Sequence, residues 1–265
     1  DSSGNLTVSG NLTSLGIDDN ADATAMTIDS SERVGIGETV PLARLHIKNA
    51  DSGVTSPDAG FDDMVVENST DVGISLLSTD TGTIAFNDAN GAPDGSLQYR
   101  HDDRSMRFAI AGAERMKIET TGAVTMPAQP AFLVKNAQLD NISVSTVTTI
   151  PYSNELFDQN SDFNTSNYTF TAPVTGKYQL NVSTYLNAVP VNAQYLQVRI
   201  VTSNHTYSTI IDPNFSANLD YYSQNISVLA DMDANDTADV AILQQAGTQQ
   251  LDIQGSGFFS GYLVA

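Results

Sequence analysis

From Lys177 to Leu186 the side chains alternate. Tyr178, Leu180, Val182 and Leu186 share one face, and Lys177, Gln179, Asn181 and Ser183 share the other. Period-two alternation puts successive side chains on opposite faces of an extended chain, so the segment reads as a strand with one buried face. The pattern recurs where Leu196, Val198 and Ile200 alternate with Gln197 and Arg199, and where Ile226, Val228 and Ala230 alternate with Asn225 and Ser227. Runs with a 3.6-residue apolar period are scarce. Short alternating runs broken by Gly, Asn and Asp are common, Trp is absent and charged residues are only 16%. The chain therefore reads as all-β. Asp236 to Ala246 is ambiguous, because propensity and capping allow a helix. Its alternation and all-β surroundings favour a strand.

Charge excludes some functions. Asp plus Glu total 31 against 11 Lys plus Arg, a formal net charge of -20. Such a chain repels phosphate backbones and anionic lipid surfaces, so neither nucleic-acid binding nor membrane insertion is expected. The lack of cysteine removes disulfides, thiol nucleophiles and thiolate zinc sites. No apolar run approaches the ~20 residues of a spanning helix. There is no signal-like start and no initiator Met, which reads as a processed chain or a piece of a longer one. The 265 residues fit one large or two ordinary domains.

Repeats organise the first half. Gly4-Asn5-Leu6-Thr7 recurs as Gly10-Asn11-Leu12-Thr13, and Gly16 continues the spacing. Units this short need stacked copies or other chains to bury their apolar residues. Met26-Thr27-Ile28-Asp29 precedes Val34-Gly35-Ile36-Gly37, and Met116-Lys117-Ile118-Glu119 precedes Val124-Thr125-Met126. Each pair reads as a small hairpin, with Gly122 suited to the second turn. Between them lies a polar stretch with weak strands around Thr83–Phe86, Leu97–Arg100 and Met106–Ile110. The basic residues Arg100, Arg104, Arg107, Arg115 and Lys117 interleave with Asp102, Asp103 and Glu114, a pattern read as ion pairing between neighbouring strands or chains. Pro127 and Pro130 mark the next boundary, after which strands are longer. The expected organisation is a stalk over 1–48, a small β-rich domain over 49–126 and a head over 127–265.

In the last strand Phe258, Tyr262 and Val264 lie on one face, and Phe259 and Leu263 on the other. Apolar residues on both faces imply burial on both sides, one inside the sandwich and one against another copy of the chain. Tyr178, Leu180, Phe258, Phe259, Tyr262 and Val264 are the candidate interface residues.

Two resemblances follow from these segments. Phe157-Asp158, then Phe170, Pro173, Gly176 and Tyr178 in Tyr168–Tyr178, and finally Phe259-Ser260-Gly261-Tyr262-Leu263-Val264 resemble the globular head of complement component one, subunit q. That resemblance implies a ten-stranded, tumour-necrosis-factor-like jelly roll trimerising around its inner sheet. Met26 to Ile28, Val34 to Gly37, Pro41 and Leu45-His46-Ile47 resemble the repeats of bacteriophage tail-fibre and related adhesin proteins. Such stalks are trimeric and interleaved. The chain departs from the pattern by carrying Glu32-Arg33 where the turn usually has a glycine.

Sites are sought against this background. The histidines His46, His101 and His205 read as structural, turn and loop residues respectively. No Gly-x-Ser-x-Gly segment is present, and catalysis is not expected. Asp231, Asp233 and Asp236 open like a calcium loop, but Asp236 stands where Gly is required and Ile242 where Glu is required. Calcium in a looser site competes with an ordinary solvated turn, and no cofactor is otherwise implied. Aromatics flanked by amides suit a glycan. Tyr195, His205, Tyr207, Asn214, Phe215, Asn218, Tyr221 and Tyr222 are the candidate receptor residues. The expected protein is thus an extracellular virion tail fibre, homotrimeric and joined to other tail or baseplate proteins. Its heads would bind a bacterial surface glycan or protein. A decoration fibre, a surface adhesin or a trimeric polysaccharide depolymerase are the alternatives.

Overall fold

The computed structural model describes residues 25–265 apart from Ala92. The six-residue glycine repeat lies outside the described residues. These residues form strands and connections without a helix, and none offers a helix able to cross a membrane. The all-β expectation holds, and Asp236–Ala246 contains a strand. The chain divides into two compact units, Asp1–Leu77 and Ser78–Ala265.

The first unit holds β1 (Met26–Ile28), β2 (Val34–Ile36), β3 (Leu45–Lys48) and β4 (Met64–Glu67) in that order. β1 and β2 form the expected hairpin; β2, β3 and β4 run parallel. The β3–β4 pairing carries this unit past residue 48. In the hairpin turn Glu32 takes a left-handed φ of 61°, where glycine was expected. Asp29 makes this possible. Its carboxylate accepts the amides of Ser31 and Arg33 at 2.9 and 3.0 Å and ion-pairs with the Arg33 guanidinium. In the second hairpin Glu119 and Gly122 stand in the same places, and Gly122 takes a φ of 83°.

Parallel neighbours ordinarily need a crossover of about a dozen residues. Here Gly37 to Arg44 must suffice, so the chain folds back against its own strands. A Cβ on Gly35 would collide with the Glu38 carbonyl oxygen, and one on Gly37 with that of Lys48. The pairing leaves one face of the sheet wholly apolar. Ile28, Val34, Leu45 and Met64 form one row, and Met26, Ile36, Ile47 and Val66 the next.

The second unit begins with an antiparallel meander, β5 (Thr81–Asn87), β6 (Pro93–Arg100), β7 (Ser105–Ile110), β8 (Ala113–Ile118) and β9 (Val124–Thr125). A stretch that is polar by composition proves sharply sided. Ile84, Leu97, Phe108 and Met116 are register partners, as are Tyr99, Met106, Ile118 and Val124. The opposite face carries the expected ion pairs between strands. Arg107 pairs with Asp103 and, at 3.1 Å, with Glu114; Lys117 reaches Asp103 at 3.2 Å and Glu119 at 3.0 Å. The Ser105 hydroxyl and these two cations hold the Asp103 carboxyl well below the usual range.

The rest is a two-sheet sandwich. Its strands are β10 (Ala131–Lys135), β11 (Thr148–Thr149), β12 (Asn154–Asp158), β13 (Phe163–Asn164), β14 (Thr169–Thr171), β15 (Gly176–Asn187), β16 (Tyr195–Thr202), β17 (Thr206–Ile211), β18 (Tyr222–Met232), β19 (Thr237–Gln245), β20 (Asp252–Ile253) and β21 (Phe258–Leu263). One sheet runs β12-β10-β21-β15-β18 with β20 on β15, and the other β13-β14-β19-β16-β17 with β11 on β19. Three of these strands are two-residue ladders, so the strand count exceeds the ten expected by short pieces.

Between the sheets lies an aromatic cluster. Phe132 stacks on Phe170 at 4.7 Å and meets Phe259 edge-on at 5.0 Å. The motif residues have defined duties here. Phe170 is core, and the Tyr178 hydroxyl donates to the Val174 carbonyl at 2.8 Å, closing the turn after Pro173. Gly176 gives room to the Ala265 carbonyl and the Leu263 side chain, and Gly261 to the Phe132 ring.

Candidate functional site

The interface candidates divide at the sandwich wall. Tyr178, Leu180 and Phe259 are fully buried in the chain's own core, so they are not available to a second copy. That corrects the sequence expectation: these three point between the sheets, where Phe132, Phe170 and Tyr152 already cover them. Phe258, Tyr262 and Val264 face outward, 38%, 49% and 49% exposed. Beside them on the same face stand Leu133 and, one strand further, Phe157; on the other side Gln179 partners Tyr262. Gln179 and the Ser227 hydroxyl both donate to the Asn181 carbonyl oxygen, at 3.2 and 2.8 Å. The result is an apolar row bordered by a satisfied amide and hydroxyl network.

The receptor candidates also divide. β16 spans eight residues, so its two ends lie roughly 23 Å apart. His205 and Tyr207 sit at one end, where the turn is closed by Thr202 and the two rings meet at 6.1 Å. Tyr195 starts the strand at the other end, beside the loop that carries Asn214, Phe215, Asn218 and Tyr221. The eight residues therefore do not form one surface.

The second end is a built apex of three loops. Val189 and Leu219 exchange amide bonds at 2.8 and 3.2 Å. The Asn218 side chain accepts the Val191 amide at 3.0 Å and donates to Gln249, and Gln249 donates to the Ala188 carbonyl. Asn218 is thus a brace for the loops. Tyr221, 79% exposed, stacks on Tyr185 with centroids 6.1 Å apart and planes 17° apart. Sequence proximity does not reveal Tyr185, because only the β15–β18 register brings it to Tyr221. Phe215, 37% exposed, packs at 6.1 Å on Tyr222. A braced apex with an open tyrosine pair and exposed amides can stack on a flat ligand face and hydrogen-bond its rim.

The carboxylates of Asp231 and Asp236 are committed elsewhere. Asp231 pairs with Lys177 across β15 and β18 at 2.5 Å. Asp236 caps its own turn, accepting the Asp233 amide at 2.9 Å and the Asn204 amide group at 2.7 Å, with Asn235 left-handed between them. The calcium expectation has no geometric support at these residues.

Among the described residues, the one group of acidic and histidine ligand atoms that converges is Glu38, His46 and Glu67, within 4.8 Å of one another. His46 is fully buried. Its Nδ1 accepts the Leu42 amide at 3.3 Å, which places the proton on Nε2, donating to Glu67 at 2.9 Å. The Lys48 ammonium lies 2.7 Å from Glu38 and 3.6 Å from Glu67. A cation thus already sits among these carboxylates, and the cluster works as a cross-brace of the first unit. The parallel β3–β4 register, which sets Lys48 beside Glu67, assembles it; the sequence showed only His46.

Hydrogen bonds from the Ser52 amide and hydroxyl, with help from Lys48 and His46, hold the Glu67 carboxyl near 2, from an ordinary 4.5. The folded value lies below the unfolded one. This carboxylate therefore favours folding above pH 4.5 and loses that effect as pH falls from 4.5 towards 2. Thermal unfolding of the first unit is expected to move down across that window, and Glu67→Gln to flatten the dependence. An unchanged slope in the variant would show that Glu67 is not the responsible group.

Two packed antiparallel sheets, with a core set by the Phe170–Tyr178 turn and the Phe259–Leu263 strand, define a jelly-roll head. The family model of the C1q domain matches residues 131–264, half of the chain, and the chain belongs to that family. Among solved structures, the globular domain of zebrafish complement 1qA protein is 17% identical, covering 52% of this chain and 98% of its own, with a TM-score of 0.41. Murine APRIL at pH 8.0 is 12% identical (51% and 99% covered, TM-score 0.39). The PRD1 vertex protein P5 is 10% identical (51% and 97%, TM-score 0.38). No curated protein matches the chain.

Proposed function

We propose that this chain is a multivalent attachment protein, a homotrimeric virion fibre whose C-terminal heads bind a bacterial surface glycan or protein. The observation that carries the reading is the exposed pair Phe258 and Tyr262 on a central strand whose other face is core, with exposed Val264 just past its end. A central strand is not a spare edge. Apolar side chains held open on it call for a second copy, and an interface of this kind repeats symmetrically. Three apices then point the same way, so weak contacts at the Tyr185–Tyr221 pairs add as avidity. The hairpin repeats before the head support a stalk that holds the heads away from the particle. The chain is read as a binding protein and not an enzyme; His46, for example, is spent on Glu67 and the Leu42 amide.

Light scattering tests the assembly and whole-cell binding tests the apex. A mass of three times 28.2 kDa is expected. Tyr221→Ala is expected to keep that mass and to weaken cell binding at least tenfold. A monomeric mass overturns the trimer; full cell binding by Tyr221→Ala overturns the apex.

A further inference from the structure

Polar side chains buried inside the head fall into two groups. Gln244 and Thr202 are fully partnered. The Gln244 amide group donates to the Ala246 and Gln249 carbonyls at 3.1 and 2.6 Å, and its oxygen accepts the Leu251 amide at 2.9 Å. The Thr202 hydroxyl donates to the His205 carbonyl at 2.9 Å and accepts the His205 amide at 3.0 Å. Tyr152, Thr184 and Gln224 are buried as deeply, at 0%, 0% and 3% exposed. Yet both hydroxyls and both ends of the Gln224 amide lack a hydrogen-bond partner. A buried polar group without a partner forfeits its whole hydration, so native interiors hold few of them. Here four such atoms share one place. Thr184 and Gln224 are register partners on the core faces of β15 and β18. The Tyr152 ring packs on Phe259, whose register partner Val182 precedes Thr184 by two residues on the same face. Burial pushes the Tyr152 hydroxyl up in pKa and Thr184 opposes that shift, so the two hydroxyls are close without meeting in hydrogen-bond geometry. A Cβ on Gly257 would touch both the Asn136 side-chain oxygen and the Thr184 Cα. That oxygen is a further buried acceptor without a partner, and it borders the same place.

We propose that Tyr152, Thr184 and Gln224 hold ordered water inside the head, in a hydration site enclosed between the two sheets. Polar groups that are neighbours, yet stand out of bonding geometry with one another, are what a bridging water joins. Chemistry selects water over an ion. The three side chains are neutral, and among the described residues every buried polar side chain of the head is uncharged. An ion there would have no countercharge. The occupant must also both donate and accept, because Gln224 offers both and the hydroxyls take either role. A metal cation would leave the Gln224 amide hydrogens unpaired. The site lies across the sheet from the Tyr185–Tyr221 pair. Tyr185 follows Thr184, and its register partner Ser223 precedes Gln224. Asn136 donates to the Gln254 carbonyl at 2.8 Å, and the Gln254 amide donates to the Tyr185 carbonyl at 2.9 Å. Exchange of this water with solvent therefore requires these strand ends to part. The inference concerns the interior of the head and stands whether or not the head trimerises or binds through Tyr221.

Oxygen-17 relaxation dispersion of water, measured on the full chain, counts long-lived internal waters. Gln224→Met and Thr184→Val are each expected to lower the dispersion amplitude by about one water per chain. Thr184→Ser keeps the hydroxyl and is expected to leave the amplitude unchanged. Thr202→Val removes a directly partnered hydroxyl and should leave it unchanged as well. Native amplitude in both Gln224→Met and Thr184→Val overturns the inference, because the three groups would then bond one another or stay dry. Denaturant unfolding gives an independent reading. Each single variant is expected to lower the midpoint, since it strips the water of one partner. Tyr152→Phe, Thr184→Val and Gln224→Met combined are expected to regain most of that loss, because none of the three positions is then left with an unpaired polar group. A midpoint raised by either single variant would mean that a dry, unpaired group had been removed, and this too overturns the inference.

Discussion

Phe259→Ala is expected to cost the head about 3–5 kcal/mol, the usual loss when a buried aromatic is truncated in a core that cannot collapse. Phe259 is fully buried and touches Phe132, Tyr152 and Phe163, which lie on three other strands or loops, so no single neighbour can fill the space. Phe258→Ala, one residue away, is expected to leave the folded core in place, because Phe258 points out of the sandwich. Its effect should appear as lost assembled mass. Denaturant unfolding and light scattering on the two variants at equal concentration decide the matter. If Phe258→Ala unfolds the head as strongly as Phe259→Ala while the mass stays unchanged, the division of the last strand into core and interface faces is wrong.

The second large effect belongs to the first unit. Gly35→Ala and Gly37→Ala are each expected to destabilise it by about 3–5 kcal/mol, at the exceptional end for single substitutions. Each added methyl would run into a backbone carbonyl, which a rotamer change cannot move aside, and Gly37 also carries a left-handed φ of 72°. The head should be spared, since it lies in the other unit. Limited proteolysis should then cut the variants within residues 25–77 while the Ser78–Ala265 unit resists. A first unit that resists protease as well as the native chain does would mean that the short crossover can open to admit a side chain.

Much of the head was legible because its strands are long and one-sided. The alternation in Lys177–Leu186 identifies β15, and the Phe170–Tyr178 and Phe259–Val264 segments carry the family resemblance. Alternation also separates Phe258 from Phe259. It does not say which of the two the chain itself covers, since that depends on Phe132 and Phe163, remote in sequence. The receptor candidates are close in sequence, all between residues 195 and 222. A hairpin undoes such proximity, and β16–β17 carries His205 and Tyr195 to opposite ends. The opposite failure occurs at Tyr185 and Tyr221, and at Lys48 and Glu67, which strand register alone brings together. The region before the head is polar by composition. Its apolar residues are as regular as those of the head, but they are interleaved with Arg, Lys, Asp and Glu whose charges cancel one another on the far face.

The placement of β21 bears on when the head can form. This last strand of the sandwich lies in the middle of its sheet, hydrogen-bonded to β10 on one side and β15 on the other. During synthesis β10 emerges early and has no inner neighbour until Phe258–Leu263 clears the ribosome. Until then Phe132 and the Phe170 ring lack the Phe259 side of their cluster, and the unfinished sheet presents two unpaired edges. Closure is therefore late and all at once, and a nascent chain stalled short of these six residues is the form most exposed to misassembly.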